Sequence, residues 1–575
     1  MERLKRLIPL LAILESYGKD DLRGDISAGL TVGVMLIPQG MAYAMIAGLP
    51  PIYGLYASLV PLVIYGLLGS SRQLAVGPVA MVSLLVAAGV SELADPETPR
   101  YIELAIMLAF IVGGIQFIMG VGKLGFLVNF LSHPVLSGFT SAAALIIGLS
   151  QLKHLLGIPI PRSHFIHEIL WNALRNIENV HIPTLLIGLG GIILLIGIRR
   201  WKPILPGALI VVILGTLVTW GLGLYELGVK VVGEVPQGLP QPYIPRFNMA
   251  DIQALMPTAL AIALVGFMES IAVAKAVAAK HGYEVNANQE LIALGLANIG
   301  GGFFRSYPVT GGFSRTAVND QAGARSGIAS IISAGVIALT LLFLTPLFYY
   351  LPKAVLASII MVAVFGLIDI KEAKFLWRVK RKDFYLMLVA FLATLSLGIE
   401  QGILVAVVIS LILVIHRSAY PHIAVLGQLP GTTHYRNIDR YPDAVTIPGV
   451  IIIRIDAALY FANIEFVKDF LRKLELQSEV PIKAVIIDAS GINDIDASAV
   501  HGLMDIVKEY QSRGIKLYFA NVKGPVLDVM KRAGLVDMLG ENAFFMDVHT
   551  AVSHVVQELG LKQPEASEAG TPSTH

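Results

Sequence analysis

The sequence predicts an α-helical polytopic membrane domain followed by a soluble α/β domain. Three observations predict it. Hydrophobic residues make up 55% of the 575 positions and charged residues only 15%, with a mean hydropathy of +0.71. Soluble chains average about 25% charged residues, so much of this chain must face lipid. Apolar runs of spanning length succeed one another up to residue 417 and stop there. From Ser418 charges return at the density of a soluble domain.

A spanning helix needs about 20 apolar residues. Candidate spans lie near 26–48, 52–69, 74–90, 104–122, 134–152, 184–199, 204–222, 255–278, 288–304, 308–322, 325–345, 350–368, 383–398 and 400–416. The runs 74–90 and 308–322 are the weakest, each interrupted by glycine or proline and each readable as a half-helix. With the N-terminus in the cytoplasm, one side receives Arg72, Lys123, Arg199, Arg200, Lys202, Arg325 and the cluster Lys371, Lys374, Arg378, Lys380, Arg381 and Lys382. The other keeps Arg100, Arg162 and Arg246. That is the positive-inside bias, and an even number of spans returns the C-terminal domain to the cytoplasm. The expected domains are a cytoplasmic segment 1–24, a membrane domain 25–417, a cytoplasmic domain 418–561 and a polar tail 562–575, expected to be disordered.

Residues 1–24 begin with a short apolar run that Glu15 closes, without a small-residue cleavage site. Leu4, Leu7, Ile8 and Leu11 recur at helical spacing, which predicts a helix lying on the bilayer surface, held by Arg3, Lys5 and Arg6. The chain has no cysteine, which excludes disulfides, thiolate metal sites and cysteine nucleophiles. A net charge of +2 points to no nucleic-acid partner. No Walker-type Gly-Lys-Ser/Thr loop occurs, so ATP is not expected to act directly. Past residue 418, strands at 450–455, 484–490 and 516–522 alternate with helices at 466–476, 499–513 and 526–533 and a closing helix, which reads as an α/β sandwich.

Chemistry concentrates at the two interrupted spans. Unwound backbone at membrane depth is costly unless it lines a site. In Ala75-Val76-Gly77-Pro78-Val79-Ala80-Met81, Gly77 permits a break and Pro78 suits the first turn of a new helix. In Pro308-Val309-Thr310-Gly311-Gly312-Phe313-Ser314-Arg315, proline and the glycine pair stop regular structure before a helix restarts. A half-helix that starts at mid-bilayer points free N–H groups and a positive dipole end inward, an anion site needing few charged side chains. Arg315 adds a full charge. Gln39 precedes Pro78 by 39 positions and Glu269 precedes Gly312 by 43. Two halves of seven spans, each with a polar residue in its first span and a broken third, predict an inverted repeat with substrate bound between the repeats. Gln39 could equally be interhelical glue. Tyr43 could be a core aromatic.

Pro51-Ile52-Tyr53-Gly54-Leu55-Tyr56-Ala57-Ser58, continued to Gly69-Ser70-Ser71-Arg72, resembles the signature of the SulP family of anion transporters, also called SLC26. IPQGMAYAMIAGLPP (37–51) resembles that family's first span, and GGFSRTAVNDQAG (311–323) its tenth. The resemblance runs from about Leu22 to Leu559. It implies a 7+7 inverted repeat of the UraA-like kind, a core domain moving against a gate domain like an elevator, and a homodimer in the inner (plasma) membrane. Matched by motif, the anion-lining residues would be Gln39, Tyr43, Val79, Ala80, Phe313, Ser314 and Arg315. The cytoplasmic domain resembles a STAS domain, with Asp488-Ala489-Ser490-Gly491 and Asp494-Ile495-Asp496-Ala497-Ser498 as central strand and loop. Ser498 matches a phosphorylated serine of related antagonists and is a candidate regulatory site for a cytoplasmic protein partner; it could also cap the next helix together with Asp496.

Glu269 matches a carboxylate that the family keeps in the eighth span. Sodium-coupled bicarbonate members build a cation cage there from an aspartate and nearby hydroxyls, whereas Gly266-Phe267-Met268-Glu269-Ser270-Ile271-Ala272 offers one hydroxyl. A lone buried carboxyl is a poor sodium cage and a good proton carrier. The leading expectation is therefore a proton-coupled anion importer with sulfate as substrate and no cofactor. The alternatives are a sodium–bicarbonate symporter, a dicarboxylate transporter, an uncoupled exchanger or channel, or a sensor signalling through the STAS domain. Backbone N–H groups and a serine would accept any of these anions.

Overall fold

Glycines placed where two backbones meet organise the membrane domain. The computed structural model describes residues 8–126, 132–160, 166–201, 206–366 and 368–561. Expectations for Arg3, Leu4, Lys5, Arg6, Leu7, Arg162, Lys202 and the tail 562–575 lie outside these residues. The chain divides into two units, Met1–Leu411 and Ile412–His575.

Among the described residues, fourteen helical segments correspond to the fourteen candidate spans: α1 Lys19–Ile46, α2 (Ile52–Tyr56 continued as Val60–Leu68), α3 Ala80–Ser91, α4 Pro99–Val121, α5 His133–Ser150, α6 Ile182–Trp201, α7 Gly207–Gly221, α8 Met249–His281, α9 Ala287–Gly302, α10 Phe313–Gln321, α11 Ile328–Leu339, α12 Lys353–Phe365, α13 Arg381–Leu397 and α14 Ile399–Ala419. Before them, Pro9–Leu14 is helical; of the expected periodic residues it contains Leu11, with Ile8 just before its start. Local chemistry starts several of the spans. Asp21 accepts from Gly18 N at 2.9 Å at the head of α1, Thr98 accepts from Tyr101 N at 3.2 Å before Pro99 of α4, and Asn286 caps α9. The weak spans are indeed broken. α3 has 12 residues and α10 has 9, roughly 18 and 14 Å of helix, too short for a hydrocarbon core of about 30 Å.

The first four spans and α8 to α11 pack on one another, α4 along α9 and α1 along α11; α5, α6, α12 and α13 pack together beside them. Several glycines sit where two backbones approach closely. A Cβ on Gly54 would collide with the Gly40 carbonyl, where α2 folds onto α1, and one on Gly327 would collide with the Gly66 carbonyl. Gly113 and Gly295 face each other across α4 and α9. Such small-residue contacts replace the hydrophobic drive that lipid removes. Gly54→Ala is expected to cost about 3 kcal/mol, because backbone must give way. Thermal unfolding of the purified protein checks this against Gly114→Ala, where a Cβ meets nothing within 4 Å; equal midpoints would refute the close-contact account.

Two buried carboxylates tie segment ends together. Glu290 on α9 accepts from Tyr65 Oη at 2.6 Å, Ser70 N at 2.7 Å, Ser70 Oγ at 2.7 Å and Ser71 N at 3.0 Å. The Gly69-Ser70-Ser71-Arg72 stretch is thus a carboxylate clamp at the approach to α3. Asp25 on α1 accepts from Tyr17 Oη at 2.7 Å, Arg325 N at 2.6 Å, Ser326 N at 3.0 Å and Ser326 Oγ at 2.5 Å, behind α10.

The second unit is a six-stranded sheet in the order β4-β3-β5-β6-β7-β8, with β3 Ile423–Gln428, β4 Tyr435–Asn437, β5 Val450–Ile455, β6 Ala484–Asp488, β7 Lys516–Ala520 and β8 Phe544–Phe545. Strands β5 to β8 are parallel, and β3 is antiparallel to both neighbours. The β5, β6 and β7 strands match the sequence reading; β3, β4 and β8 were not expected. β6 is buried along its whole length, which is why it reads as one apolar run. The helix at 499–513 begins two residues earlier, at Ala497.

Candidate functional site

Two-residue strands join the interrupted spans. β1 (Val76–Gly77) pairs antiparallel with β2 (Thr310–Gly311), Val76 opposite Gly311 and Gly77 opposite Thr310. Gly312 N donates to Ala75 O at 3.0 Å, which extends the ladder. The backbone groups freed by the two breaks thereby satisfy each other at membrane depth. Gly77 has φ +154°, and a Cβ there would point at Arg315 Nη2, 3.5 Å away. α3 starts at Ala80, with two residues between it and the end of β1, and α10 at Phe313, with one residue between it and the end of β2; the extended N-caps Val79 and Gly312 supply no side-chain cap.

Polar side chains brace this cradle from behind. Thr310 Oγ1 donates to Gly266 O on α8 at 2.6 Å, and Gly311 N donates to Ser270 Oγ at 2.8 Å. Ser270 Oγ and Thr310 Oγ1 lie 2.6 Å apart. Asn298 on α9 takes Val309 N at 2.8 Å and gives Nδ2 to Val309 O at 3.1 Å and to Gln116 Oε1 at 3.0 Å. Thr316 Oγ1 accepts from Ala75 N at 3.1 Å. The sequence reading missed Thr310, Asn298, Gln116 and Thr316 as parts of this frame. Their only signal was amide and hydroxyl side chains inside apolar spans, which has many outcomes.

The expected site residues then divide. Arg315 is 1% exposed; its Nη1 donates to Pro78 O, so the first turn of α10 grips the approach to α3. Arg315 Nε and Nη2 are buried and have no hydrogen-bond partner. Glu269 Oε2 on α8 and Gln39 Oε1 on α1 are also buried and unpartnered. Turning the Gln39 amide over would present its N–H₂ at the same place. Tyr43 stands one turn beyond Gln39, buried, and within electrostatic reach of both Arg315 and Glu269. α1 packs against both α3 and α10. Val79 and Ala80 are buried at the start of α3. Phe313 is 62% exposed and Ser314 is exposed too, so the start of α10 faces open space. Buried unpartnered donors cost about 1–3 kcal/mol each. A guanidinium with two free N–H directions beside two helix starts is what an anion would satisfy.

Ser498 stands apart, in the second unit. It is exposed inside the first turn of the helix Ala497–Ser512 and is not the cap. Asp496 is the cap, taking Ala499 N at 2.7 Å and, through its other oxygen, Phe461 N at 3.0 Å.

Paired half-helices in an inverted repeat, followed by an α/β regulatory-type domain, define a multi-pass membrane anion transporter. The chain belongs to the sulfate permease family: that family's model matches residues 22–390, and a STAS domain model matches residues 441–551. The chain is 44% identical over 565 residues to "Probable sulfate transporter 4.2" of Arabidopsis thaliana, covering 96% of this chain and 83% of that one. It is 38% identical over 547 residues to a protein of Mycobacterium tuberculosis named a probable sulfate transporter, covering 95% and 97%. The murine Solute Carrier 26 family member A9 anion transporter, in its inward-facing state, superposes with a TM-score of 0.87 at 29% identity, covering 96% of this chain and 94% of that one.

Proposed function

We propose that this protein imports sulfate together with a proton by an elevator-type movement. The observation that carries the reading is the β1–β2 cradle with unpartnered Arg315 and Glu269 beside it. Sulfate offers several acceptor oxygens to Arg315 Nε and Nη2 and to the N–H groups that open α3 and α10. Gln39, Tyr43, Val79, Ala80, Phe313 and Ser314 shape the rest of the site. Glu269 neutralises part of the charge by taking a proton as the anion binds. The names of the relatives at 44% and 38% identity favour sulfate over other anions.

The state of Ser270 favours a proton over sodium. It is the one hydroxyl adjacent to Glu269 in sequence, and it is committed to Gly311 N and Thr310. A sodium cage at Glu269 would lack that oxygen, and sodium–bicarbonate symport is the weaker reading for that reason. Because β1–β2 ties the starts of α3 and α10 together, the site would move as one body, which suits an elevator of one bundle against the other. The working arrangement is a homodimer in the inner (plasma) membrane with both termini cytoplasmic, and Ser498 is where a partner of the STAS domain would act.

Uptake of labelled sulfate into proteoliposomes tests the reading, with proton and sodium gradients imposed separately. Inward proton gradients should drive sulfate accumulation without sodium. Glu269→Gln should abolish accumulation against a gradient and flatten the pH dependence, with sulfate exchange at equal concentrations surviving at about a tenth of the rate or more. An unchanged pH profile in that variant, or bicarbonate uptake that needs sodium, would overturn the proposal.

A further inference from the structure

A second concave feature lies away from the cradle, between α6 and α12. It is a groove of about 520 Å³ lined by Ile192, Ile196, Arg199 and Arg200 of α6 and by Met361, Val362, Phe365 and Gly366 at the end of α12. Its lower part is apolar and its upper end is doubly basic. Ile192 to Arg200 follow one another along α6 for roughly 12 Å, so the apolar strip runs directly beneath the two guanidinium groups. The outer surface beside it is bare hydrocarbon: Ile193 is 70% exposed and Phe365 45%. A helix face of that kind in a membrane protein is covered by acyl chains.

The two arginines are not consumed by the protein. Neither guanidinium makes an ion pair or hydrogen bond with a described residue, and both are exposed. Arg199 Nη1 lies 3.8 Å from where a Cβ on Gly366 would be, so the missing side chain keeps the upper end open. Their position at the end of α6 suits the negative pole of the helix, yet leaves their N–H groups free for an outside acceptor. The charge bias of the loops puts this end at the cytoplasmic face, where anionic lipids present phosphates at headgroup depth. A soluble anion would occupy the arginines and leave the apolar strip uncovered; an amphiphile covers both.

We propose that this groove holds one anionic phospholipid of the bilayer, its phosphodiester on Arg199 and Arg200 and an acyl chain along Ile192, Ile196, Val362 and Phe365. The helix Ile370–Val379, which follows α12 in the chain, carries Lys371, Lys374 and Arg378, none of which lines the groove. The lipid bridges α6 and α12 on the bundle beside the cradle, so it acts on a different part of the molecule from the transported anion.

Native mass spectrometry of the full-length protein, released from mild detergent after titration with phosphatidylglycerol or phosphatidylcholine, tests this. Wild type should retain phosphatidylglycerol at least about tenfold more tightly than phosphatidylcholine, and R199Q/R200Q should lose that preference. Gly366→Leu keeps both arginines but fills the groove, and should weaken phosphatidylglycerol binding about as much. K374Q/R378Q should stay within about twofold of wild type. Soluble glycerol 3-phosphate should fail to displace the lipid. Equal retention of the two lipids by wild type, retained preference in R199Q/R200Q, an equal loss in K374Q/R378Q, or displacement by glycerol 3-phosphate would each overturn the proposal. If R199Q/R200Q does not fold, Gly366→Leu decides it: undiminished phosphatidylglycerol binding there would rule the groove out.

Discussion

Arg315→Gln is expected to lower the kcat/KM for sulfate uptake by about a hundredfold or more, and to do so without destabilising the protein. The loss follows from removing a buried charge whose Nε and Nη2 have no partner in the protein, an interaction with an anion worth about 3 kcal/mol. The stability side is the more diagnostic. Arg315 is 1% exposed and forms no ion pair with a described residue, so in the absence of anion its buried charge is offset only at longer range, by Glu269. A neutral side chain of similar length removes that cost, and the thermal midpoint should hold or rise while transport collapses. A structural arginine would behave in the opposite way. Arg315→Lys keeps the charge but loses the planar fork that reaches Pro78 O and an anion together, so transport should be intermediate. Uptake measured beside thermal unfolding separates these cases. Wild-type transport in folded Arg315→Gln would remove the anion from this position.

Glu290→Ala should be the most destabilising single change at a polar residue of the membrane domain. Its carboxylate is 0% exposed and takes donors from Tyr65, Ser70 and Ser71. Truncation strands the N–H groups of Ser70 and Ser71 and the hydroxyls of Tyr65 and Ser70 at once. At roughly 1–3 kcal/mol for each stranded buried donor, less what water recovers, the cost is about 4 kcal/mol. Glu290→Gln keeps one oxygen for the Ser70 and Ser71 N–H groups and can give its N–H₂ to the Tyr65 hydroxyl, but loses the charge, and should fall between. The expected readout is a fall of several degrees in the thermal midpoint and a lower yield, with uptake per folded molecule much less affected than in Arg315→Gln. An Ala variant as stable as wild type would mean that water serves the loop as well as the carboxylate does.

These two residues also mark what the sequence could and could not tell. Spans α1 to α14 were legible because lipid-facing helices need long apolar runs, and the two failures of that rule, near Pro78 and Pro308, were themselves the signal. Arg315 stood out as a charge inside a span. β1 and β2 could not be seen: each is two residues long, and their residues pair across 233 and 235 positions. The clamp from Ser70 to Glu290 spans 220 positions and that from Ser326 to Asp25 spans 301, so nothing local marks it. In the second unit β6 was plain because it is buried on both faces. β3 and β4 were missed because a turn-rich segment lies between them and β4 is only three residues long. Ser498 was correctly placed at a helix start, but capping belongs to Asp496 alone.

The pairing of Val76–Gly77 with Thr310–Gly311 makes the two halves of the membrane domain interdependent. Each strand comes from a different half of the chain, so neither half contains a complete cradle. Taken alone, a single repeat would leave an unpaired strand and a lone helix start stranded in hydrocarbon. A backbone distortion at either break would therefore cost the opposite half its strand partner as well.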